Sequence, residues 1–185
     1  MNFKESRTYA NLMAAFAGES QAKTKYEIFA KKAREDGYEQ IGYIFDETSD
    51  NEKAHAKLWL DYIQKYIHSN QVTASPTLEN LKSAAAGEHY EYTEMYKQFA
   101  KEAREEGYDE IAAKMELVAK VESEHEKRYL TIVENMENEE VFCRLSENKW
   151  MCLNCGFIYE GKDAPAKCPL CSYPQAFFQI KCENY

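Results

Sequence analysis

The sequence predicts a mainly α fold: a four-helix bundle followed by a small four-cysteine metal domain with short β-strands. Three observations predict it. Residues 1–138 recur in Ala, Glu, Lys, Leu and Met, with no proline before Pro76, and so read as helix almost throughout. Each half of that region carries one Glu-x-x-His, at Glu52–His55 and at Glu122–His125. Residues 150–185 hold two Cys-x-x-Cys pairs and are too few to bury a core unaided.

Four helices are expected over about 5–35, 38–67, 76–105 and 108–137. The first ends at Glu35-Asp36-Gly37-Tyr38 and the third at Glu105-Glu106-Gly107-Tyr108. Each places a glycine where a helix C-cap needs a residue at positive φ. Between the second and third helices, residues 69–76 read Ser-Asn-Gln-Val-Thr-Ala-Ser-Pro, polar and helix-breaking. There Ser75 is expected to cap the third helix, with Pro76 at its first position. The division of the chain is then a helical domain over 1–138, a linker over 139–149 and a cysteine domain over 150–185.

The two helical halves repeat each other. Phe29-Ala-Lys-Lys-Ala-Arg-Glu-Asp-Gly-Tyr38 matches Phe99-Ala-Lys-Glu-Ala-Arg-Glu-Glu-Gly-Tyr108, and Glu52 and His55 map onto Glu122 and His125 with the same shift of 70. Glu19 maps onto Glu88 with a shift of only 69, so the second half has one extra residue between Glu88 and Phe99. That residue is expected to be absorbed as a π-bulge, a feature frequent at functional sites.

Residues three apart on a helix share a face, so each Glu-x-x-His presents a carboxylate and an imidazole together. Each motif is preceded by a small-residue stretch bearing one more glutamate, Ala17-Gly18-Glu19 and Ala86-Gly87-Glu88. Two helices with a lone Glu and two with Glu-x-x-His carry the ligand set of di-iron or di-manganese bundles. Glu19, Glu52, Glu88 and Glu122 pointing into one core would oppose folding by mutual repulsion unless cations offset it. Oxygen and imidazole donors suit iron or manganese. Solvated acidic helix faces are the plain alternative, and one isolated motif would favour it; the duplication does not. Glu91 lies three after Glu88, its counterpart in the first half is Ala22, and it offers a seventh ligand to one metal only. His89 and Glu94 read as solvated, and Tyr26 as core packing.

Cys152-Leu-Asn-Cys155 and Cys168-Pro-Leu-Cys171 give four thiolates at the spacing of a tetrahedral all-sulfur site for zinc or iron. Zinc would make it a structural ribbon, iron a one-electron carrier. Cys143 and Cys182 read as free thiols.

Composition bounds the rest. With 44% hydrophobic and 30% charged residues in 185, the chain can bury a sizeable core, and its net charge of −9 argues against nucleic acid or an anionic membrane as partner. No stretch approaches the ~18 apolar residues of a membrane span. The N-terminal residues show no secretory h-region, which points to a cytoplasmic protein with reduced cysteines.

Ala86-Gly-Glu-His-Tyr-Glu91 and both Glu-x-x-His motifs resemble the ferritin-like domain of the rubrerythrin family. Cys152-x-x-Cys155-Gly-Phe-Ile-Tyr159 and Cys168-Pro-Leu-Cys171 resemble its rubredoxin-like domain. The resemblance covers essentially the whole chain. One departure is Ser172, where rubredoxin knuckles usually carry glycine.

The resemblance implies a peroxide-scavenging enzyme with two Fe ions in the helical part and one Fe ion in the cysteine domain. It would reduce hydrogen peroxide to water, with electrons from a rubredoxin or an NAD(P)H-dependent rubredoxin-reductase-type donor. Carried onto this chain, Glu52 and Glu122 would bridge the irons. Glu19 would hold one, and Glu88 and His125 the other. His55 and Glu91 would be alternative ligands of the first, as ferrous iron accepts imidazole and ferric iron prefers carboxylate. The length of chain between His125 and Cys152, with the resemblance, suggests an antiparallel homodimer whose electrons pass between subunits; a higher homo-oligomer is also compatible. Two other functions compete: an iron-oxidising ferritin-like protein, which has no use for the cysteine tail, and a zinc-bearing scaffold without turnover.

Overall fold

The computed structural model describes residues 2–67 and 76–182. The fold is mainly α with a small β tail, and it divides into two compact units, Met1–Thr73 and Ala74–Tyr185. The expected cap at Ser75 lies outside the described residues.

The first unit is a helical hairpin. A 3-10 turn at Phe3–Glu5 leads into α1, Arg7–Glu35, and α2 runs Glu39–Ile67. Ser6 caps α1 by accepting a hydrogen bond from the Tyr9 amide at 3.0 Å. Gly37 stands at φ 88°, and the amides of Gly37 and Tyr38 donate to the carbonyls of Arg34 and Ala33. Those two bonds make the Schellman ending that the glycine spacing predicts. Small residues let the helices approach: Ala30, Ala33 and Ala56 are buried, and a Cβ on Gly42 would stand 2.9 Å from Arg34 Cγ. Arg34 then reaches across to Asp46 at 2.5 Å.

The second unit repeats this plan. Here α3 covers Pro76–Tyr90, α4 Tyr96–Glu105 and α5 Asp109–Glu137. Gly107 stands at φ 87° with the same pair of capping bonds, to Arg104 and Ala103. Ala100, Ala103 and Ala112 form the contact, and Arg104 pairs with Glu116 as Arg34 pairs with Asp46, again 70 residues on. Between α3 and α4 lies a π-helical turn, Glu91–Met95, in which the Tyr96 amide donates to the Glu91 carbonyl five residues back. The extra residue of this half is absorbed there, as the shift from 70 to 69 predicts.

α5 ends without a glycine. Glu139 takes φ 60°, and the amides of Glu139 and Glu140 close on Met136 and Asn135. The stretch expected as linker is then partly strand: β1 spans Cys143–Cys152 and pairs antiparallel with β2, Ile158–Asp163, and β3, Phe178–Ile180, in the order β2-β1-β3. Trp150 anchors this sheet: it is fully buried and its indole N–H donates to the Gly161 carbonyl at 3.0 Å.

Ser172 adopts φ 66°, the counterpart of Gly156 at φ 76°, and its amide donates to the Cys168 carbonyl at 2.9 Å. The second knuckle thus keeps its geometry with a strained residue. The left-handed conformation costs a non-glycine residue roughly 1–2 kcal/mol, and glycine's extra freedom in the unfolded chain returns about 0.5–1 kcal/mol. Ser172→Gly is therefore expected to stabilise the tail by up to about 1 kcal/mol. A denaturant titration of the metal-loaded chain, followed by the tail's metal absorbance, should show a higher midpoint; a lower one would refute the strain.

Candidate metal centres

Each unit brings one trio together. In the first, His55 Nδ1 lies 3.0 Å from Glu52 and 4.0 Å from Glu19. In the second, His125 Nδ1 lies 2.7 Å from Glu122 and 3.8 Å from Glu88. Within each trio, one donor atom from every residue falls within 4.8 Å of the others. The i,i+3 spacing sets the Glu-x-x-His pair on one helix, and the hairpin brings the lone glutamate opposite.

The second trio shows why a cation is called for. The Glu88 carboxyl is pushed up by burial, and then by the neighbouring Glu122 carboxylate, with Glu91 adding to it. His125 opposes the shift. A divalent or trivalent ion in the same place would reverse it. Two carboxylates and one imidazole per trio are hard and intermediate donors, which fits iron or manganese better than a soft thiophilic metal.

Glu91 stands outside the trio. It opens the π turn, half-buried, and its charge acts on both Glu88 and Tyr96. Tyr96 is a residue the sequence reading missed. Burial, then Glu91, Glu122 and Glu88, push its phenol up, so it stays a neutral O–H beside the carboxylates. The repeat could have found it, because Tyr26 lies 70 residues earlier. Tyr26 itself packs against Phe29 and Phe45, with centroids 6.4 and 6.0 Å away, as core. His89, expected to be merely solvated, is exposed but pairs with Glu126 at 2.9 Å.

The four cysteines also converge. Cys152 and Cys171 sulfurs are 3.7 Å apart, as are those of Cys155 and Cys168. A disulfide needs about 2.05 Å, whereas tetrahedral metal–sulfur bonds of about 2.3 Å set sulfurs roughly 3.8 Å apart. The spacing is that of ligands around one ion. The four thiols stand in unequal surroundings. The backbone amide of Tyr173, helped by Asn154, lowers Cys171 to about 6. Cys155 accepts a favourable amide from Phe157, yet burial and its thiol neighbours leave it raised to about 12. Cys143 and Cys182 are free thiols, as expected, and the Cys143 thiol is raised by Asp163. Among the described residues, no helix is long and apolar enough to cross a membrane.

The rubrerythrin family model matches residues 10–133, and the model of the rubredoxin-like domain of rubrerythrin matches 150–179. A rubrerythrin from Porphyromonas gingivalis is 45% identical over 191 residues, covering 100% of this chain and 94% of that protein. One from Nitratidesulfovibrio vulgaris is 45% identical, covering 97% and 96% respectively. Among solved structures, nigerythrin in a mixed-valence state is 34% identical, covers 95% of this chain and 87% of its own, and superposes with a TM-score of 0.34.

Proposed function

The chain belongs to the rubrerythrin family, with a di-iron Glu/His centre and a rubredoxin-like four-cysteine centre, and on that premise we propose that it is a cytoplasmic peroxidase that reduces hydrogen peroxide to water. The observation that carries the proposal is the presence, in one chain, of two Glu/Glu/His trios and a thiolate cage with 3.7 Å sulfur spacings. A carboxylate–imidazole centre and a one-electron carrier in the same chain suit a reductase better than a store or a scaffold.

In this reading Glu52 and Glu122 would serve both irons, Glu19 would hold one and Glu88 and His125 the other, with His55 and Glu91 as alternative ligands of the one that Glu19 holds. Cys152, Cys155, Cys168 and Cys171 hold the third. Bound as two ferrous ions, the metal supplies one electron per ion, the pair that cleavage of the peroxide O–O bond consumes. The chain's own groups supply the setting. Tyr96 keeps its proton and presents an O–H donor beside the cluster. The proposed partners are a rubredoxin or an NAD(P)H-dependent rubredoxin-reductase-type donor, and a second copy of the chain in a homodimer.

The test uses full-length, iron-loaded protein prepared without oxygen. With NAD(P)H and such a donor, peroxide should be consumed one for one with NAD(P)H, and the resting protein should show thiolate-to-iron absorption in the visible. A colourless tail that holds zinc, with no peroxide consumption, would sink the proposal. Within it, Glu91→Ala is expected to keep two irons per helical domain and lose turnover by about 10–100-fold, the usual loss on removing a group that tunes a metal site. Wild-type turnover in that variant would remove Glu91 from the ligand set.

A further inference from the structure

A second polar cluster lies beside the Glu88 trio and is absent from the first half. On α5, Glu126 directly follows His125. Its side chain is only 15% exposed, yet it belongs to no metal-binding group. It is held instead by two donors from the opposite helix: the Tyr92 hydroxyl at 2.7 Å and His89 at 2.9 Å. Tyr92 and His89 also approach each other at 3.4 Å.

The counterparts in the first half are Ser20, Lys23 and Ala56. There Ser20 bonds to its own helix at Phe16 and Lys23 to Glu27, so nothing reaches across to Ala56 by this route. In that half α1, Arg7–Glu35, runs as α-helix without a π turn. The cross-helix cluster and the extra residue occur together.

The geometry explains why they should. An extra residue can be absorbed at several neighbouring turns of a helix. Moving the bulge past a residue rotates that residue by one helical step, about 100°. His89 and Tyr92 are three apart, and both meet one carboxylate. That convergence requires near-α-helical spacing from His89 to Tyr92, so the widening is left to the C-terminal side of the pair. It is observed in the turn Glu91–Met95, where the Tyr96 amide reaches back to the Glu91 carbonyl. Glu88 and Glu91 are also three apart and form the adjacent row on the same helix. Fixing one row fixes the other.

We propose that Glu126 is a positioning residue that, through Tyr92 and His89, holds the π turn in register and so keeps Glu91 beside the Glu88 trio. The inference rests on the di-iron reading only for what Glu91 then does; the register of the turn stands apart from it. Ala56 in the matching place shows that the first hairpin, built on the same plan, forms with alanine there.

The experiment compares full-length, iron-loaded wild type with Glu126→Ala, Tyr92→Phe, Glu126→Gln and Glu91→Ala. Amide hydrogen exchange at residues 92–96 should quicken by about tenfold or more in Glu126→Ala, the loss of a charged acceptor for two donors, and less in Tyr92→Phe. Exchange at residues 20–24 of α1 should not change. Glu126→Gln retains an acceptor for Tyr92 and should stay near wild type. The Mössbauer spectrum of the oxidised centre in Glu126→Ala should shift toward that of Glu91→Ala, while the reduced spectrum stays as in wild type. Adding Glu126→Ala to Glu91→Ala should then change the oxidised spectrum no further. Unchanged exchange in both Glu126→Ala and Tyr92→Phe overturns the proposal. So does a wild-type oxidised spectrum in Glu126→Ala when Glu91→Ala alters it. If Glu91→Ala itself leaves the spectrum unaltered, the ligand assignment of Glu91 has failed, and the exchange result alone decides the role of Glu126. Should Glu126→Ala not fold, Tyr92→Phe carries both readouts with the same outcomes.

Discussion

Glu52→Ala combined with Glu122→Ala is expected to give a folded protein that holds no iron in its helical part and reduces no peroxide. The pair removes one carboxylate from each trio, the one bonded to the histidine of its own helix at 3.0 and 2.7 Å. What remains is one carboxylate and one imidazole in each trio, with Glu91 the one further carboxylate beside the second, too few donors and too little charge to hold two hard cations. Loss of a group that merely orients a ligand costs about 10–100-fold in affinity or activity, so loss of a ligand in both trios should exceed about 100-fold. The hairpins should survive. Their contacts run through Ala30, Ala33 and Ala56 in one and Ala100, Ala103 and Ala112 in the other, and the Arg34–Asp46 and Arg104–Glu116 pairs are untouched. Metal analysis and far-ultraviolet circular dichroism check both halves of the expectation. A variant that keeps two helical-domain irons would show that these glutamates are not ligands.

The second large effect is expected in the tail. In Cys152→Ser with Cys155→Ser, the tail should lose its metal and its fold while the helical part keeps its iron. Cys152 and Cys168 are 1% and 2% exposed and sit in one cluster with Trp150, Ala164 and Phe178. The metal would tie that cluster together, and so small a core cannot stand alone. A four-ligand structural metal contributes about 10–16 kcal/mol to such domains, more than the module could otherwise muster. The observable is exposure of Trp150, seen as a red-shifted emission, with loss of the tail's absorbance. NAD(P)H-driven peroxide reduction should vanish, whereas peroxide reduction by chemically reduced protein in a single turnover should persist. Mixing this variant with the Glu52→Ala, Glu122→Ala chain should restore the NAD(P)H-driven activity if electrons cross between subunits. Verified mixed dimers that stay inactive with both sound sites loaded would exclude that route.

Much of this molecule is legible before any coordinates. Helix ends follow Gly37 and Gly107, because only a residue tolerant of positive φ closes those caps cheaply. The π turn is legible as arithmetic, since a repeat that slips from 70 to 69 must store a residue somewhere. The end of α5 is not legible in this way. There Glu139 takes φ 60° against its preference, and no residue type announces it. Nor is β1, which begins at Cys143 inside a polar stretch with no alternating pattern; it is a strand because β2 and Trp150 make it one.

The candidate sites divide along the same line. The pairs Glu52–His55 and Glu122–His125 and the two Cys-x-x-Cys pairs are legible in the sequence alone, because helical and Cys-x-x-Cys spacing are local, and Glu19 and Glu88 are legible through the repeat; the fold then brings the members of each trio and the two cysteine pairs together. Tyr96 and Glu126 were decided by tertiary structure. A tyrosine or a glutamate on a helix has no local signature of what it will face; only the packing of α3, the π turn and α5 sets Tyr96 among carboxylates and gives Glu126 two donors in place of a metal. The physical reason is range. Periodicity and capping act within a turn or two of helix, whereas burial, charge coupling and cross-helix hydrogen bonds exist only once distant segments have met.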